Sequence, residues 1–342
     1  MPPVVLVVDG NSILHRCFHS QARTGFRSAD GRPRWAVRGL LSQLVAAVDR
    51  VGPDAVVVGF DDPDASVRRT RWPQYKAHRG EKLDTLVEQL DAAAGMLRAL
   101  GIAVVVPPGW EADDVLASVA RRVRAAGGGT VVMTSDRDAF GLIDDHTRVL
   151  RIINGGVDAS PLLTPDRLVT LLGVRPDQYP DFAALRGDPS DNLPGVRGVG
   201  PRTACRLLAA TGTAEAAFDD LAAGGTRVVD ALGPAAAARL AAPDARRAWE
   251  LNRQVMAMRA DLPVDLDIGH LPLPVDAVRA AFADQNLPWT AATALRALAH
   301  DETAPPPPPR AEPATGWPLR PPSAPRRPPL PKRVVVDQLA LF

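Results

Sequence analysis

Short apolar runs alternate, along the first half of the chain, with stretches in which apolar residues recur at helical spacing. Val4-Val5-Leu6-Val7-Val8 is continuous and mostly β-branched, the pattern of a strand covered on both faces of a parallel sheet. It ends at Asp9. Residues 55–60 repeat the pattern and stop at Asp61, and residues 130–134 repeat it and lead to Asp136 and Asp138. A fourth run, 103–106, precedes Gly109-Trp110-Glu111. Helical patterns occupy 37–51, 83–100 and 112–126. Strands alternating with helices predict an α/β domain with a mostly parallel sheet, whose ligand site lies beyond the carboxyl ends of the strands.

That edge is where the acids fall. Glu111, Asp113 and Asp114 put three carboxylates into four residues at the start of a helix. A helix first turn favours acids by roughly 0.3 to 1 kcal/mol each, and a single acid after a strand is commonly a cap. Four strand ends all carrying acids are poorly explained by capping. A divalent-metal site explains them better, because hard cations take oxygen ligands and relieve the repulsion among carboxylates.

Farther on, Ala183-Ala-Leu-Arg-Gly-Asp-Pro-Ser-Asp-Asn-Leu-Pro-Gly-Val-Arg-Gly-Val-Gly-Pro-Arg-Thr-Ala204 adds Asp188 and Asp191 to the acids. Its Gly195, Gly198 and Gly200 precede a helix opened by Pro201, a residue suited to the first helical position. Glycines admit a partner close to the backbone, and the free N–H groups of a helix start suit phosphate; an ordinary helix-turn-helix connection is the competing reading. Residues 213–300 read as Ala-rich helices broken by Pro263 and by Pro272 and Pro274, with no visible chemistry. After His300 prolines dominate until Pro331, which predicts an extended, disordered tether reaching on the order of 100 Å at about 3.1 Å per residue.

Composition sharpens this picture without redirecting it. The chain has 342 residues, 46% hydrophobic and 23% charged, the balance of a globular protein with a substantial core. Val4 to Val8 is too short to span a membrane and runs into an acid, so a cytoplasmic protein is expected. Cys17 and Cys205 form no CxxC pair, so neither a disulfide framework nor a zinc site is indicated. The net charge of +1 averages over segregated charge: Arg68, Arg69, Arg71, Lys76, Arg79 and Lys82 crowd one segment, as suits a polyanion bound around metal ions.

Asp9-Gly10-Asn11, Phe60-Asp61, Tyr75-Lys76-Ala-His-Arg79, Glu111-Ala-Asp113-Asp114, Thr134-Ser-Asp136-Arg-Asp138 and Gly187-Asp-Pro-Ser-Asp191-Asn-Leu-Pro-Gly195 occur in that order. Over about residues 3 to 298 they closely resemble the 5'-3' exonuclease domain of bacterial DNA polymerase I, within the flap endonuclease superfamily. Since no polymerase segment follows, the expected form is a stand-alone 5' nuclease. The resemblance implies a PIN-like α/β domain (1–160) with a helical arch. It further implies a helical part with a helix-three-turn-helix DNA-binding module (161–300), then the disordered Pro-rich linker (301–333) and a clamp-binding peptide (334–342).

It also implies roles. Asp9, Asp61, Glu111 and Asp113 would hold one Mg²⁺, and Asp136, Asp138 and Asp191 a second, with Asp114 and Asp188 in support; Mn²⁺ would substitute. Lys76 and Arg79 would contact the scissile phosphate, with Arg16 nearby. Tyr75, Gly195, Val196, Gly198, Gly200, Arg202 and Thr203 would contact DNA, with K⁺ in the glycine loop. Two-metal hydrolysis would cut 5' flaps, duplex 5' ends and RNA–DNA primer junctions. Two departures stand out: His15 replaces a common Tyr, and residues 80–85 of the arch lack a frequent proline pair. Gln338-Leu339-Ala340-Leu341-Phe342 resembles the short peptide that docks bacterial replication proteins on the sliding clamp. The expected protein is a monomer associated with the nucleoid. The rival readings are a PIN-type ribonuclease and a non-catalytic DNA-junction tether to the clamp.

Overall fold

The strands β1 (Val4–Asp9), β2 (Ala55–Gly59), β3 (Ala103–Val105), β4 (Gly129–Thr134), β5 (Thr147–Arg151) and β6 (Leu162–Leu163) form one sheet in the order β3-β2-β1-β4-β5-β6. The structure is a computed structural model describing residues 3–304, Asp284 excepted, and Pro306. The peptide proposed for the clamp, Gln338 to Phe342, lies outside the described residues, as does most of the linker. All pairings are parallel except β5 with β6. The chain builds outward from β1 to β3 in one direction and from β4 to β6 in the other. The crevice beyond the carboxyl ends of β1 and β4 is therefore the switch point at which sheets of this kind take ligands.

The continuous apolar runs are accounted for by two covered faces. Val5 and Val7 pack into one core and Leu6 and Val8 into the other, as the two-residue period of a strand requires. On the second face lie α1 (Gly10–Gln21), α2 (Trp35–Val51) and α4 (Asp84–Ala99), while the short α3 (Val67–Arg71) belongs to the segment that crosses the site. In α2 the stripe Val37, Leu40, Leu41, Leu44, Val45 and Val48 is buried, and Gly52 closes the helix at φ +59, a left-handed position that favours glycine. On the opposite face, α5 (Ala112–Ala125) lays Val115, Leu116, Val119 and Val123 on the sheet. Each fully buried Leu or Val contributes roughly 1.5–3 kcal/mol.

The chain continues through α6 (Gly156–Ala159) and α7 (Pro165–Leu172) into a helical half. There α8 (Tyr179–Arg186) leads to a minimal hairpin, β7 (Gly187–Asp188) with β8 (Leu193–Pro194), and then to α9 (Pro201–Thr211). Helices α10 (Ala214–Ala222), α11 (Arg227–Leu232), α12 (Pro234–Leu240) and α13 (Pro243–Met256) complete it and share the α5 core. The last two, α14 (Val275–Ala283) and α15 (Pro288–Ala299), return to the other face and bury Val278, Phe282, Ala294 and Leu298 with α2 and α4. The expected helices at 37–51, 83–100 and 112–126 are present with ends shifted by no more than two residues. The segment over the site, from Phe60 to Leu83, holds α3 and a run of turns. No described helix is long and apolar enough to cross a membrane.

Candidate active site

Asp9 closes β1 and caps α1, accepting the Ser12 N–H at 2.8 Å and the Thr134 hydroxyl, from the end of β4, at 2.8 Å. It is buried, and burial, reinforced by the charges of Asp61 and Asp136, raises its pKa to about 7 against these two hydrogen bonds. The turn after it needs glycine at position 10, because a Cβ there would stand 2.6 Å from the Phe60 ring. Asp61 is clamped by Asn11, whose side-chain amide donates to Oδ2 at 2.8 Å while its oxygen accepts the Asp61 N–H at 3.0 Å. The Ala112 N–H donates to Asp61 Oδ1 at 2.9 Å, tying the end of β2 to the start of α5. Burial, with Glu111 adding repulsion, raises the Asp61 pKa.

The acidic turn resolves into three different environments. Oε2 of Glu111 accepts from Arg68 at 3.3 Å, from the Tyr75 hydroxyl at 2.9 Å and from the Lys76 ammonium at 3.2 Å. Asp113 faces the crevice, where its Oδ1 is buried without a hydrogen-bond partner; desolvation, then Asp9 and Asp136, raise its pKa well above the ordinary value. Asp114 is fully buried and turned the other way. The two terminal nitrogens of Arg68 meet its two oxygens at 2.7 Å each, and the backbone N–H groups of Arg259 and Glu111 donate at 2.7 and 3.0 Å. With both oxygens engaged by these donors, Asp114 stands behind the turn and faces away from the crevice.

Across the crevice, the backbone after β4 folds so that Asp136 Oδ1 accepts the Asp138 N–H at 3.0 Å. Asp138 Oδ1 is buried and unpartnered, and desolvation with the charges of Asp136, Asp188 and Asp191 lifts its pKa to about 8. Asp188 turns its Oδ1 to the backbone N–H and hydroxyl of Ser190, both at 2.7 Å. Asp191 receives Arg79 Nη2 at 2.5 Å, and burial raises its pKa in spite of Lys76 and Arg79. A small cavity lined by Arg68, Tyr75, Glu111, Asp113, Asp138 and Asp191 joins the two walls. Among the described residues no three acidic, histidine or cysteine side chains are drawn into a closed ligand set. Repulsion between carboxylates, with cations interleaved among them, favours such spacing.

The cations come from the crossing segment. Lys76 sits at φ +54, held there by its N–H bond to the Asp191 carbonyl at 2.9 Å. Burial works against its charge, but Glu111, Asp191, Asp113 and Asp61 outweigh burial and raise its pKa. Arg79 also donates to the Ser190 carbonyl at 3.2 Å. Arg16 lies farther along α1, on the Asn154 side chain at 2.7 Å. His15 is crowded, and burial together with Lys82, His19 and Arg79 lowers its pKa to about 4.

Two residues expected at a DNA surface face inward. Tyr75 packs beside Leu193 and Val255 with its hydroxyl on Glu111, because the turn after α3 points its ring into the protein. Val196 belongs to the core, and its N–H donates to the Leu185 carbonyl at 2.8 Å. Gly195 has a packing reason of its own: a Cβ would lie 2.0 Å from the Arg186 carbonyl, and one on Gly187 2.2 Å from the Gly195 nitrogen. Gly198, Gly200 and Arg202 are exposed, and Thr203 is half-buried in the first turn of α9. The residues that pattern reading missed are Arg68, Asn11 and Thr134. Asn11 and Thr134 sit in the quoted motifs, whereas Arg68 was one basic residue among many.

Fold and site define the class: an α/β protein with a carboxylate-walled crevice at the switch point of its sheet, a cationic segment across it and a hairpin–helix module beside it. Two family models match consecutive parts of the chain, "5'-3' exonuclease, N-terminal resolvase-like domain" over residues 4–170 and "5'-3' exonuclease, C-terminal SAM fold" over residues 174–277. The chain belongs to the 5'-3' exonuclease family. It is 39% identical over 230 residues to DNA polymerase I of Mycobacterium tuberculosis, covering 67% of this chain and 25% of that protein. It is 37% identical over 265 residues to the thermostable DNA polymerase I of Thermus aquaticus, covering 77% and 29%. The chain thus spans under a third of the length of these relatives. Among solved structures, the T5 D15 protein co-crystallised with metal ions matches with a TM-score of 0.53 at 15% identity, over 74% of this chain and all of that one. The catalytic core of Rad2 in complex with DNA matches at 0.52 and 16%, over 86% and 90%. At these identities the likeness is one of fold.

Proposed function

We propose that the protein is a structure-specific 5'-3' exonuclease and 5'-flap endonuclease that hydrolyses DNA phosphodiesters, and those of RNA primers on DNA, in primer removal and repair. The observation that carries this reading is the pair of buried, unpartnered carboxylate oxygens, Asp113 Oδ1 and Asp138 Oδ1, facing one crevice beneath Lys76 and Arg79. Buried anions of this kind need a cation or a proton, and an all-carboxylate set suits Mg²⁺, with Mn²⁺ as a substitute. Asp9, Asp61, Glu111 and Asp113 would hold one ion; Asp136, Asp138 and Asp191 would hold a second, with Asp188 adjoining. Bound there, two ions supply an activated water and neutralise the leaving oxygen.

The chain's own residues do the rest. Lys76 and Arg79 bring fixed positive charge to the place where the phosphate gains negative charge. Asn11 and the Ala112 N–H orient Asp61, and Tyr75 and Arg68 orient Glu111, so the ligands are held before substrate arrives. Arg16 extends the cationic rim. The exposed glycines 198 and 200, with Arg202 and Thr203 at the start of α9, would take duplex phosphates with little sequence preference, and K⁺ would sit in that loop.

The division into 1–160, 161–300, 301–333 and 334–342 follows this reading, and the protein would act as a monomer on the nucleoid. Its last residues would dock on a sliding clamp. Clamp binding that survives deletion of residues 338–342 rejects the docking. The function is tested by incubating labelled 5'-flap DNA and single-stranded RNA with Mg²⁺, Mn²⁺ or chelator and mapping the products. Flap cleavage leaving 5'-phosphate ends, only with metal, is expected. Uncleaved DNA in Mg²⁺, or full cleavage in chelator, overturns the reading, and preferential cleavage of the RNA points to a ribonuclease.

A further inference from the structure

The exposed loop at Gly198 has a neighbour that sequence order hides. Gly198 sits at φ +79, and a Cβ built on it would lie 3.3 Å from Cδ and Nη1 of Arg239. Arg239 is in the last turn of α12, whose Ala237 and Leu240 are buried in the core, so the arginine is left on the outer face. Its Nε donates to the Ala235 carbonyl at 3.1 Å, which fixes one edge of the guanidinium while Nη1 lies beside Gly198. Nearby arginines are spent on carboxylates: Arg227 on Asp220, Arg246 on Asp219 and Arg253 on Asp181. Arg197, Arg202 and Arg239 are exposed and, among the described residues, in no ion pair.

We propose that Arg239, delivered by α12, completes the duplex-binding surface of the glycine loop by holding a DNA backbone phosphate with the guanidinium that lies against Gly198, with Arg197 and Arg202 adding charge from the loop and the start of α9. A guanidinium is a planar fork of donors suited to phosphate oxygens, and glycine at 198, with no Cβ, leaves room for the Arg239 side chain to lie against the loop. The inference rests on the proposed action on duplex DNA, and it assigns a partner chemistry to a stretch in which sequence reading saw none.

The test is binding of a fluorescent 5'-flap duplex by the full chain in chelator, across a salt series, alongside steady-state cleavage in Mg²⁺. Arg239→Gln is expected to weaken duplex binding about threefold to tenfold. It should also reduce the slope of log K against log salt by about 0.9, the value of one phosphate contact. KM should rise by the same factor with kcat unchanged at saturation. Arg239→Lys should keep the slope while recovering part of the affinity. An Arg239→Gln protein with wild-type slope and affinity overturns the proposal, as does an equal loss on single-stranded DNA or a fall in kcat alone. Because binding is read without metal, wild-type protein that binds duplex but never cleaves it sinks the nuclease reading and leaves Arg239 decided by its slope.

Discussion

Replacing Arg68 by methionine is the perturbation that most directly probes how the acidic turn is held. Arg68 is buried, and its guanidinium makes two 2.7 Å bonds to Asp114, one of 3.3 Å to Glu111, and one each to the Val255 and Ala257 carbonyls at 3.1 and 2.9 Å. Methionine fills much of the same volume but donates nothing. Asp114 would then be a fully buried carboxylate with only the Glu111 and Arg259 N–H groups for support. Removing one partner of such a pair costs about 3–5 kcal/mol, a large share of the roughly 5–15 kcal/mol that holds a domain together. Urea denaturation of the full chain measures the loss. A double variant, Arg68→Met with Asp114→Leu, removes both charges and should recover most of the stability, since buried pairs exchange for apolar groups at little net cost. In that double variant Glu111 lacks one of its donors, and a higher Mg²⁺ concentration for half-maximal cleavage is expected even though the fold is restored. A loss below about 1 kcal/mol for Arg68→Met, or a double variant no more stable than the single one, refutes the assignment of Asp114 to Arg68.

Asp136→Ala is expected to abolish flap cleavage while leaving duplex affinity in chelator close to wild type; retained single-turnover cleavage counts against its place in the site. Lys76→Ala should slow single-turnover cleavage about 10²- to 10³-fold, the scale of one lost transition-state donor, with Kd little changed, and an unaltered rate removes it from the chemistry. His15, with its pKa lowered to about 4 from 6.5, binds fewer protons folded than unfolded between those values. Stability therefore falls as pH drops through that window. An imidazole NMR titration with a midpoint at or above 6.5 contradicts this, and His15→Asn should flatten the acid limb of the stability curve.

Much of the crevice was legible because a buried parallel strand is a conspicuous pattern. Val4 to Val8, residues 55–60 and residues 130–134 could hardly be anything else, and the acid after each run had to lie on one edge of the sheet. The acids were therefore placed by strand polarity alone. Neighbours within the acidic turn were not separable in that way. A helix turns about 100° per residue, so Asp113 and Asp114 point in different directions, and a list of carboxylates in sequence carries no direction. The same limit applied to Tyr75, whose place in the motif suggested contact with DNA although its ring is buried beside Leu193 and Val255. Gly195 was read as a place for a phosphate to approach, and the approach observed is that of the Arg186 carbonyl.

By itself, the sequence determined the alternation of strands and helices, the edge of the sheet at which the acids gather, and the glycine loop ahead of Pro201. Each follows from residue pattern over a few turns or a few pleats, where neighbours in the chain are neighbours in space. The tertiary structure alone decided which carboxylates face the crevice and which face a cation behind it. It brought Arg68 to Asp114, 46 positions away, and set Arg239 against Gly198. Those choices depend on how α3, α5, α12 and α13 pack, and packing brings together side chains whose separation along the chain no local period records.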